Sequence, residues 1–360
     1  MTASRCWGSE AMAVDNVIVA PETRSLDGLV AALTPWLAAH MPEARGLRIE
    51  NPSYPFGAGQ SHETILFDAC WSEGGKAVRQ GCVVRVKPMR HTVFPDDLFE
   101  QQYRVMDVLH GHGIRVAKPL WIEHDPAVLG APFFIMERVE GRVAVSIPPY
   151  AEGGWVAEAT PAQRRRMWED GVRHLASLQS VPLADFQFLA GPKGVRDGLA
   201  QEWDKYVRFV QWISADREWP VLHAALDRLK GLWPANQPAG LVWGDARLGN
   251  LMFDANFDVV AIMDWEQPSL GGALQDLGWW LTLSEQMHGA NADRPHLEGM
   301  GTRSETIALW EDLTGLSAQD VEWYEDFTQL KHSCLGIRLA GLKGRPLPDE
   351  AWLAQRLKVA

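Results

Sequence analysis

The chain has 360 residues, of which 46% are hydrophobic, so it can bury a large core and form two lobes. Its formal net charge is -12, which argues against a general nucleic-acid-binding protein, because such proteins need a basic face. The four cysteines lie far apart without metal-binding spacing, and no apolar run of about 18 residues occurs. Charged residues at positions 5, 10 and 15 also interrupt any signal-peptide core. We therefore expect a soluble cytoplasmic protein with no membrane or nucleic-acid partner, and the oligomeric state stays open.

A helix and a β-rich segment open the chain. Apolar residues recur at helical spacing over residues 25–40, where Pro35 is expected to kink or divide the helix. Short β-rich runs separated by glycine-containing turns then predict a meander of antiparallel strands. The predicted strands cover residues 47–50, 62–71 and 81–87. A helix over residues 99–110 and two apolar runs, 117–123 and 132–138, complete a small α+β lobe.

The pattern changes to long helical periodicities beyond Gly141. Helices are predicted over residues 163–179, 199–214, 221–232, 273–286, 304–314 and 318–336. One island of strand character interrupts them, at residues 241–264. A β-rich part followed by a helical part predicts two lobes joined near residue 139, and we divide the chain into residues 1–45, 46–138 and 139–360.

Four polar side chains that could take part in catalysis lie in residues 241–266. They are Asp245, Arg247, Asn250 and Asp264. Residues 251–253 and 259–263 can pair around a turn, which would bring Asn250 and Asp264 together. Phosphoryl transfer needs a carboxylate to accept a proton, an amide and a carboxylate to hold metal, and a cation near the transferred group. The competing interpretation is that these residues only cap turns.

This stretch resembles the catalytic and metal-binding loops of the aminoglycoside phosphotransferase family, which has a bilobal protein-kinase-like fold. The resemblance covers about residues 47–280 and implies an α+β protein with a small antiparallel-sheet N-lobe and a larger helical C-lobe. It also implies that Asp245 is the catalytic base, that Arg247 is a catalytic residue at the phosphoryl group, and that Asn250 and Asp264 are metal ligands. Trp243 stands where the family usually has His, and we expect this change to affect packing more than chemistry.

The expected nucleotide clamp begins at a glycine-containing turn, residues 56–64. Glycine lets backbone amides approach phosphate closely. The segment resembles the Gly-x-Ser-Asn-x-Thr loop of the family, with His62 in place of the Asn. The resemblance implies phosphate contacts at Gly57, Gly59 and Ser61.

A strand cation and an interlobe hinge complete the expected nucleotide site. Arg85 and Lys87 alternate onto one strand face, and the resemblance favours Arg85 as the phosphate cation, with Lys87 second. The position that would supply a Glu partner from the next helix holds Gln102. In kinase-like folds the hinge backbone binds adenine, which makes Glu137 and Val139 the hinge candidates.

The segment after Asp264 enters a helix within about ten residues and lacks the activation segment of protein kinases. A small-molecule acceptor is therefore favoured over a protein. Asp276 resembles the family's Asp that braces the catalytic loop. Glu266 is left open between a metal ligand, a substrate contact and a turn cap.

The resemblance thus implies an ATP-dependent kinase that uses Mg²⁺ and phosphorylates a hydroxyl of a small molecule. An aminoglycoside kinase would need several carboxylates in the acceptor cleft, whereas a kinase for a hydroxylated metabolite would need a basic or apolar cleft. The sequences WGDARLGN and DWE resemble more closely the kinase domains associated with acyl-CoA dehydrogenases, which favours a metabolite such as a hydroxyacyl-CoA. A nucleotide-binding pseudokinase is the third possibility, because of Gln102.

Overall fold

The computed structural model of the protein describes residues 24–55, 62–89, 92–146, 148–191, 198–289 and 297–360. Two separate hydrophobic cores lie in these segments, one between the first helix and an N-terminal sheet and the other among the later helices. The expected α+β architecture is confirmed, with a small antiparallel-sheet lobe followed by a larger helical lobe. None of the helices in the described part of the chain is long and apolar enough to cross a membrane.

The N-lobe is a five-stranded antiparallel sheet with two helices. Its elements in chain order are α1 (Leu26–His40), β1 (Arg45–Ser53), β2 (Glu63–Glu73), β3 (Lys76–Val86), α2 (Phe99–Gly111), β4 (Pro119–Glu123) and β5 (Phe133–Glu137). The strand order is β1-β2-β3-β5-β4, and every neighbouring pair is antiparallel. Gly74 and Gly75 form the turn between β2 and β3 with positive φ angles of 57° and 78°. Such angles favour glycine, so the two-glycine turn sets this hairpin.

Helix α1 is not divided at Pro35. It runs unbroken across the proline, and Leu33, Trp36 and Leu37 on either side of Pro35 are buried against the N-lobe sheet. Proline removes one backbone hydrogen bond from a helix, and burial of this apolar face offsets that loss. The helix that the sequence places in residues 1–45 therefore packs as part of the N-lobe core.

The C-lobe contains a three-stranded sheet surrounded by helices. The strands are β6 (Arg142–Val143), β7 (Leu251–Phe253) and β8 (Val259–Ile262), in the order β6-β7-β8. The helices are α3 (Pro161–Ser177), α4 (Leu199–Ile213), α5 (Pro220–Gly231), α6 (Leu274–His288), α7 (Arg303–Thr314), α8 (Val321–Leu342) and α9 (Glu350–Arg356). The pairing of β7 with β8 gives the hairpin that the sequence predicts, with Leu251 opposite Ile262. Strand β6 and helix α9 were not predicted.

A buried polar network joins α4 and α8 to the start of α6. Lys331 donates to Glu202 Oε1 at 3.2 Å and to Gln275 Oε1 at 2.6 Å, and all three side chains are buried. Ser269, just before α6, donates its hydroxyl to Glu202 Oε2 at 2.7 Å. Each of these buried polar groups has a hydrogen-bond partner within the network. The network therefore holds the segment that follows Asp264 against α4 and α8.

Candidate active site

The loop that holds Asp245 is anchored through its backbone by a buried carboxylate, that of Asp276. Asp276, in the first turn of α6, accepts hydrogen bonds from the backbone N–H of Trp243 at 2.6 Å and of Gly244 at 2.9 Å. Burial raises the pKa of Asp276 to about 6, although these two bonds oppose the rise. Gly244 has a φ of 102°, and an added Cβ would lie 2.6 Å from the Gln267 carbonyl oxygen. The chain therefore needs glycine immediately before Asp245.

Three side chains donate hydrogen bonds to the Asp245 carboxylate. Trp279 Nε1 donates to Oδ1 at 2.8 Å, and Asn250 Nδ2 donates to Oδ2 at 2.7 Å. Arg247 Nε lies 3.1 Å and 3.0 Å from the two oxygens, while its Nη1 donates to Ser146 Oγ at 2.7 Å. The carboxylate is thus held in one orientation from three directions.

Asn250 and Asp264 lie side by side at one end of the β7–β8 hairpin. The Met263 N–H donates to the Asn250 carbonyl at 2.9 Å, so the residue before Asp264 pairs directly with Asn250. Trp243 also holds this end of the hairpin, because its indole N–H donates to the Met263 carbonyl at 2.7 Å. Asp264 itself has a φ of 63°, a left-handed conformation that Asp tolerates better than most residues.

The open atoms of these two residues fit a hard metal ion. Asp264 Oδ1 is buried and has no hydrogen-bond partner among the described residues. Burial, followed by the neighbouring Glu266 carboxylate, raises the pKa of Asp264 well above its usual range. Asn250 uses its Nδ2 on Asp245, and its Oδ1 accepts no bond within the described chain. Oxygen atoms of this kind suit Mg²⁺, which usually takes its remaining ligands from water and phosphate.

Asn250 and Asp264 are not part of a larger metal-binding cage in the part of the chain that the structure describes. The described residues contain no cluster of three or more His, Cys, Asp or Glu side chains that could hold an ion. Two protein ligands with the rest supplied by a nucleotide is the arrangement expected for a phosphoryl-transfer site.

The two candidate phosphate cations, Arg85 and Lys87, have different acidic partners. Arg85 on β3 donates from Nη2 to Glu266 Oε1 at 2.5 Å, and its Nη1 lies 3.9 Å from Asp264 Oδ1. Lys87 lies just past the end of β3 and pairs with Asp97 at the surface. Of the two, Arg85 lies beside the open carboxylate oxygen.

Of the other five candidates for nucleotide contact, the structure describes only Glu137 and Val139. Gly57, Gly59 and Ser61 lie outside the described residues. Glu137 ends β5, where its N–H is bonded to the Lys118 carbonyl and its side chain accepts from Gln80 at 3.1 Å. Val139 follows the last residue of β5 by two positions, and its N–H donates no backbone hydrogen bond within the described chain, which leaves it available to a ligand.

Two cavities flank the catalytic loop. The larger, about 390 Å³, is lined by the carboxylates Asp245, Asp264 and Glu266 together with apolar side chains. Its apolar wall consists of Phe94, Tyr206, Trp279 and Leu335. The smaller, about 250 Å³, lies beside Arg247 and is lined partly by the hydroxyl groups of Ser146, Tyr150 and Ser284.

The sequence does not identify Trp279 or Ser146 as site residues, and it leaves the role of Glu266 open. The spacing of Trp279, three residues after Asp276 on α6, places both side chains beneath the loop and is the signal that could have identified it.

A sequence profile of the phosphotransferase enzyme family matches residues 55–313, which include the whole site. The chain belongs to this family. The resemblance drawn from residues 241–266 is thereby confirmed.

The relatives of this phosphotransferase include much longer proteins. An Arabidopsis thaliana protein provisionally named an acyl-CoA dehydrogenase is 29% identical over 237 residues, which are 62% of this chain and 27% of that protein. Human acyl-CoA dehydrogenase family member 11 is 25% identical over 257 residues, 68% of this chain and 31% of that protein. The phosphotransferase thus matches about a third or less of the length of these relatives.

Solved structures confirm the protein-kinase-like fold of the phosphotransferase. A Ralstonia eutropha protein provisionally named an aminoglycoside phosphotransferase has a TM-score of 0.65 at 24% identity, with 91% of this chain and 94% of that chain covered. A macrolide 2'-phosphotransferase of type I has a TM-score of 0.55 at 18% identity, with 94% and 98% covered. At these identities the likeness concerns the fold alone.

Proposed function

We propose that the protein transfers the γ-phosphoryl group of ATP to a hydroxyl of an apolar small molecule, with Asp245 as the base and Mg²⁺ held by Asn250 and Asp264. One observation supports this most. Asp245 and Asp264 line the same cavity, and Asn250 is hydrogen-bonded to the base. Two carboxylates and one amide at a cleft are the groups that phosphoryl transfer requires.

Asp245 acts by accepting the proton of the acceptor hydroxyl as the new O–P bond forms. The bonds from Trp279 and Asn250 hold its two oxygens in a fixed orientation, so little reorganisation is needed in the transition state. Arg247, bound to both Asp245 and Ser146, provides a positive charge next to the reacting atoms. That charge offsets the negative charge that builds up on the transferred group.

Asn250 and Asp264 would hold the metal through the amide oxygen and the unpartnered Oδ1. A bound Mg²⁺ would supply positive charge that neutralises the nucleotide phosphates. Arg85 provides a further cation at this end of the cleft, and the Val139 N–H is available for the adenine ring. Among the described residues these are the groups that would position ATP.

The cavity walls favour an apolar acceptor over a polycationic one. Beyond Asp245, Asp264 and the ion-paired Glu266, the described wall of the larger cavity contains no carboxylate. An aminoglycoside would need several such groups to hold its ammonium ions. The aromatic wall suits a hydrocarbon chain, and the relatives named as acyl-CoA dehydrogenases make a hydroxyacyl-CoA the acceptor we favour.

The cytoplasm is the compartment in which we expect the enzyme to act. Cys70, Cys82 and Cys334 are free thiols in the described chain, as is usual for proteins of a reducing compartment. ATP is also available there as the phosphoryl donor.

Incubation of the purified protein with ATP and Mg²⁺ tests the proposal directly. Hydroxyacyl-CoAs of increasing chain length and a set of aminoglycosides serve as acceptors, and mass spectrometry detects a mass increase of one phosphoryl group. We expect phosphorylated hydroxyacyl-CoA and no phosphorylated aminoglycoside. Phosphorylation of the aminoglycosides alone would exclude the apolar acceptor.

A further inference from the structure

The helix that follows β3 offers no carboxylate to Arg85. Gln102 of α2 occupies the buried position that faces the site, and its Nε2 contacts His62 Nε2 at 3.3 Å. Glu100, the acidic residue in the first turn of α2, is about half exposed and lies 3.7 Å from Arg104. Arg85 therefore has its carboxylate partner elsewhere.

Glu266 takes this place from the opposite lobe. Its Oε1 accepts the 2.5 Å bond from Arg85 Nη2, and both side chains are about nine-tenths buried. Glu266 lies two residues after Asp264 on the segment that leaves the β7–β8 hairpin. The ion pair therefore connects β3 of the N-lobe directly to the segment that contains the candidate metal ligand.

His62 connects the end of the glycine-containing turn to the same ion pair. Its Nδ1 lies 2.9 Å from Glu266 Oε1, and its ring stacks on Phe99 with centroids 5.6 Å apart. Burial lowers the pKa of His62 and favours the neutral ring. With Gln102 donating to Nε2, the neutral ring carries its proton on Nδ1 and donates it to Glu266.

Arg85 retains a donor that these contacts leave unused. Its Nε is buried and has no hydrogen-bond partner among the described residues, although Nη2 is bonded to Glu266. A buried N–H group without an acceptor is rare in a folded protein and calls for one from a ligand. An anionic phosphate oxygen would satisfy it, next to the open oxygen of Asp264.

We infer that Glu266 is the positioning residue for the phosphate-binding Arg85, in the role that a helix carboxylate would otherwise fill, and that His62 orients Glu266. This inference rests on the proposed function. The consequence is that the phosphate cation is tied by an ion pair to the segment that contains the metal ligand. Movement of α2 alone would not break the pair, since the helix contributes only the neutral Gln102.

Binding of ADP, measured by calorimetry with the magnesium chelated, tests this role without an acceptor or a metal. Glu266→Gln keeps the size of the side chain but removes the charge, and Arg85→Met removes the cation. Because either change disrupts one buried pair, we expect each to weaken ADP binding by about tenfold, and the double variant to bind no more weakly than the singles. Glu266→Asp, which keeps the charge and shortens the side chain, should weaken binding in the same direction and serves if Glu266→Gln does not fold.

Glu63→Gln is the matched control, because Glu63, like Glu266, is a buried acid that pairs with an arginine. It pairs with Arg24 and Tyr54 rather than with Arg85, so ADP binding should stay within about threefold of the parent. The inference is overturned if Glu266→Gln binds ADP as tightly as the parent or more tightly, if the losses from the two single variants add, or if a loss appears only when magnesium is present. The last result would make Glu266 a metal ligand. A parent protein that binds no ADP would instead contradict the proposed function.

Discussion

Trp279 and Asp245 are joined by a 2.8 Å hydrogen bond from the indole N–H to carboxylate Oδ1. The next residue, Trp280, is also fully buried, yet its indole N–H has no partner within the described residues. Two neighbouring tryptophans on α6 thus differ in one respect that matters for chemistry. The first orients the candidate base, and the second fills the core against Gly171.

Trp279→Phe should lower kcat by about tenfold or more, because a hydrogen bond to a charged group is worth about 1.5–3 kcal/mol. KM for ATP should change little, since Trp279 bonds to the candidate base and to neither candidate metal ligand. Steady-state kinetics at saturating acceptor provide the measurement. Trp280→Phe is the control and should keep kcat within about twofold while it lowers thermal stability through the lost ring volume. Equal losses of kcat in both variants would show that the indole bond has no special role.

Trp243 donates its indole N–H to the carbonyl of Met263, the residue before Asp264. Trp243→Phe should destabilise the fold by about 1–3 kcal/mol, because the buried carbonyl loses its donor. Trp243→His restores a donor but leaves a cavity, so it should recover kcat better than stability. Thermal unfolding and kcat of the two variants are the measurements that test these expectations. A Phe variant with unchanged kcat would mean that the contact supports packing alone.

Gly244→Ala should lower stability by about 3 kcal/mol or more and reduce kcat sharply. Alanine at a positive φ is strained, and its Cβ would collide with the Gln267 carbonyl. Gly231→Ala, at the end of α5, is the matched control because an added Cβ there meets nothing within 4 Å. That change should be neutral or stabilise by up to about 1 kcal/mol. Chemical denaturation of both variants provides the comparison.

The pH dependence of stability should reveal Asp276. Its pKa is about 6 in the folded protein against 3.8 for an aspartate in the unfolded chain, so between these two pH values the folded state holds a proton that the unfolded state has lost. This contribution to stability is fully present below pH 3.8 and is lost as the pH rises through 6, a total of about 3 kcal/mol. Asp276→Asn does not titrate. The stability of the parent relative to this variant should therefore rise as the pH falls from 7 to 4, and a flat difference would contradict the assignment.

Local patterns were enough to predict most of the fold. The periodicities of α4, α5 and α7 gave helices within two residues of their observed bounds, because each has a clear buried stripe and flanking turn residues. The β7–β8 hairpin was also foreseen from its two apolar runs. Strand β6 has only two residues and α9 only seven, and both exist because they pack on distant elements, which no local pattern reveals.

The site was predictable where its residues are close in sequence. Asp245, Arg247 and Asn250 share one loop, so their contacts follow from spacing. The bond between Arg85 and Glu266 joins residues 181 positions apart, and it depends on how the lobes close on each other. The sequence showed that Gln102 could not supply the charge, but only the packed structure identifies the side chain that does.

The central claim is that Asp245 takes the proton from the acceptor. Asp245→Asn keeps the shape of the side chain but not its basicity, and the rate of phosphoryl transfer from labelled ATP at saturating substrates is the measurement. We expect a loss of about 100-fold to 10,000-fold with ADP binding unchanged. A variant that transfers phosphate within a few fold of the parent rate would contradict the account.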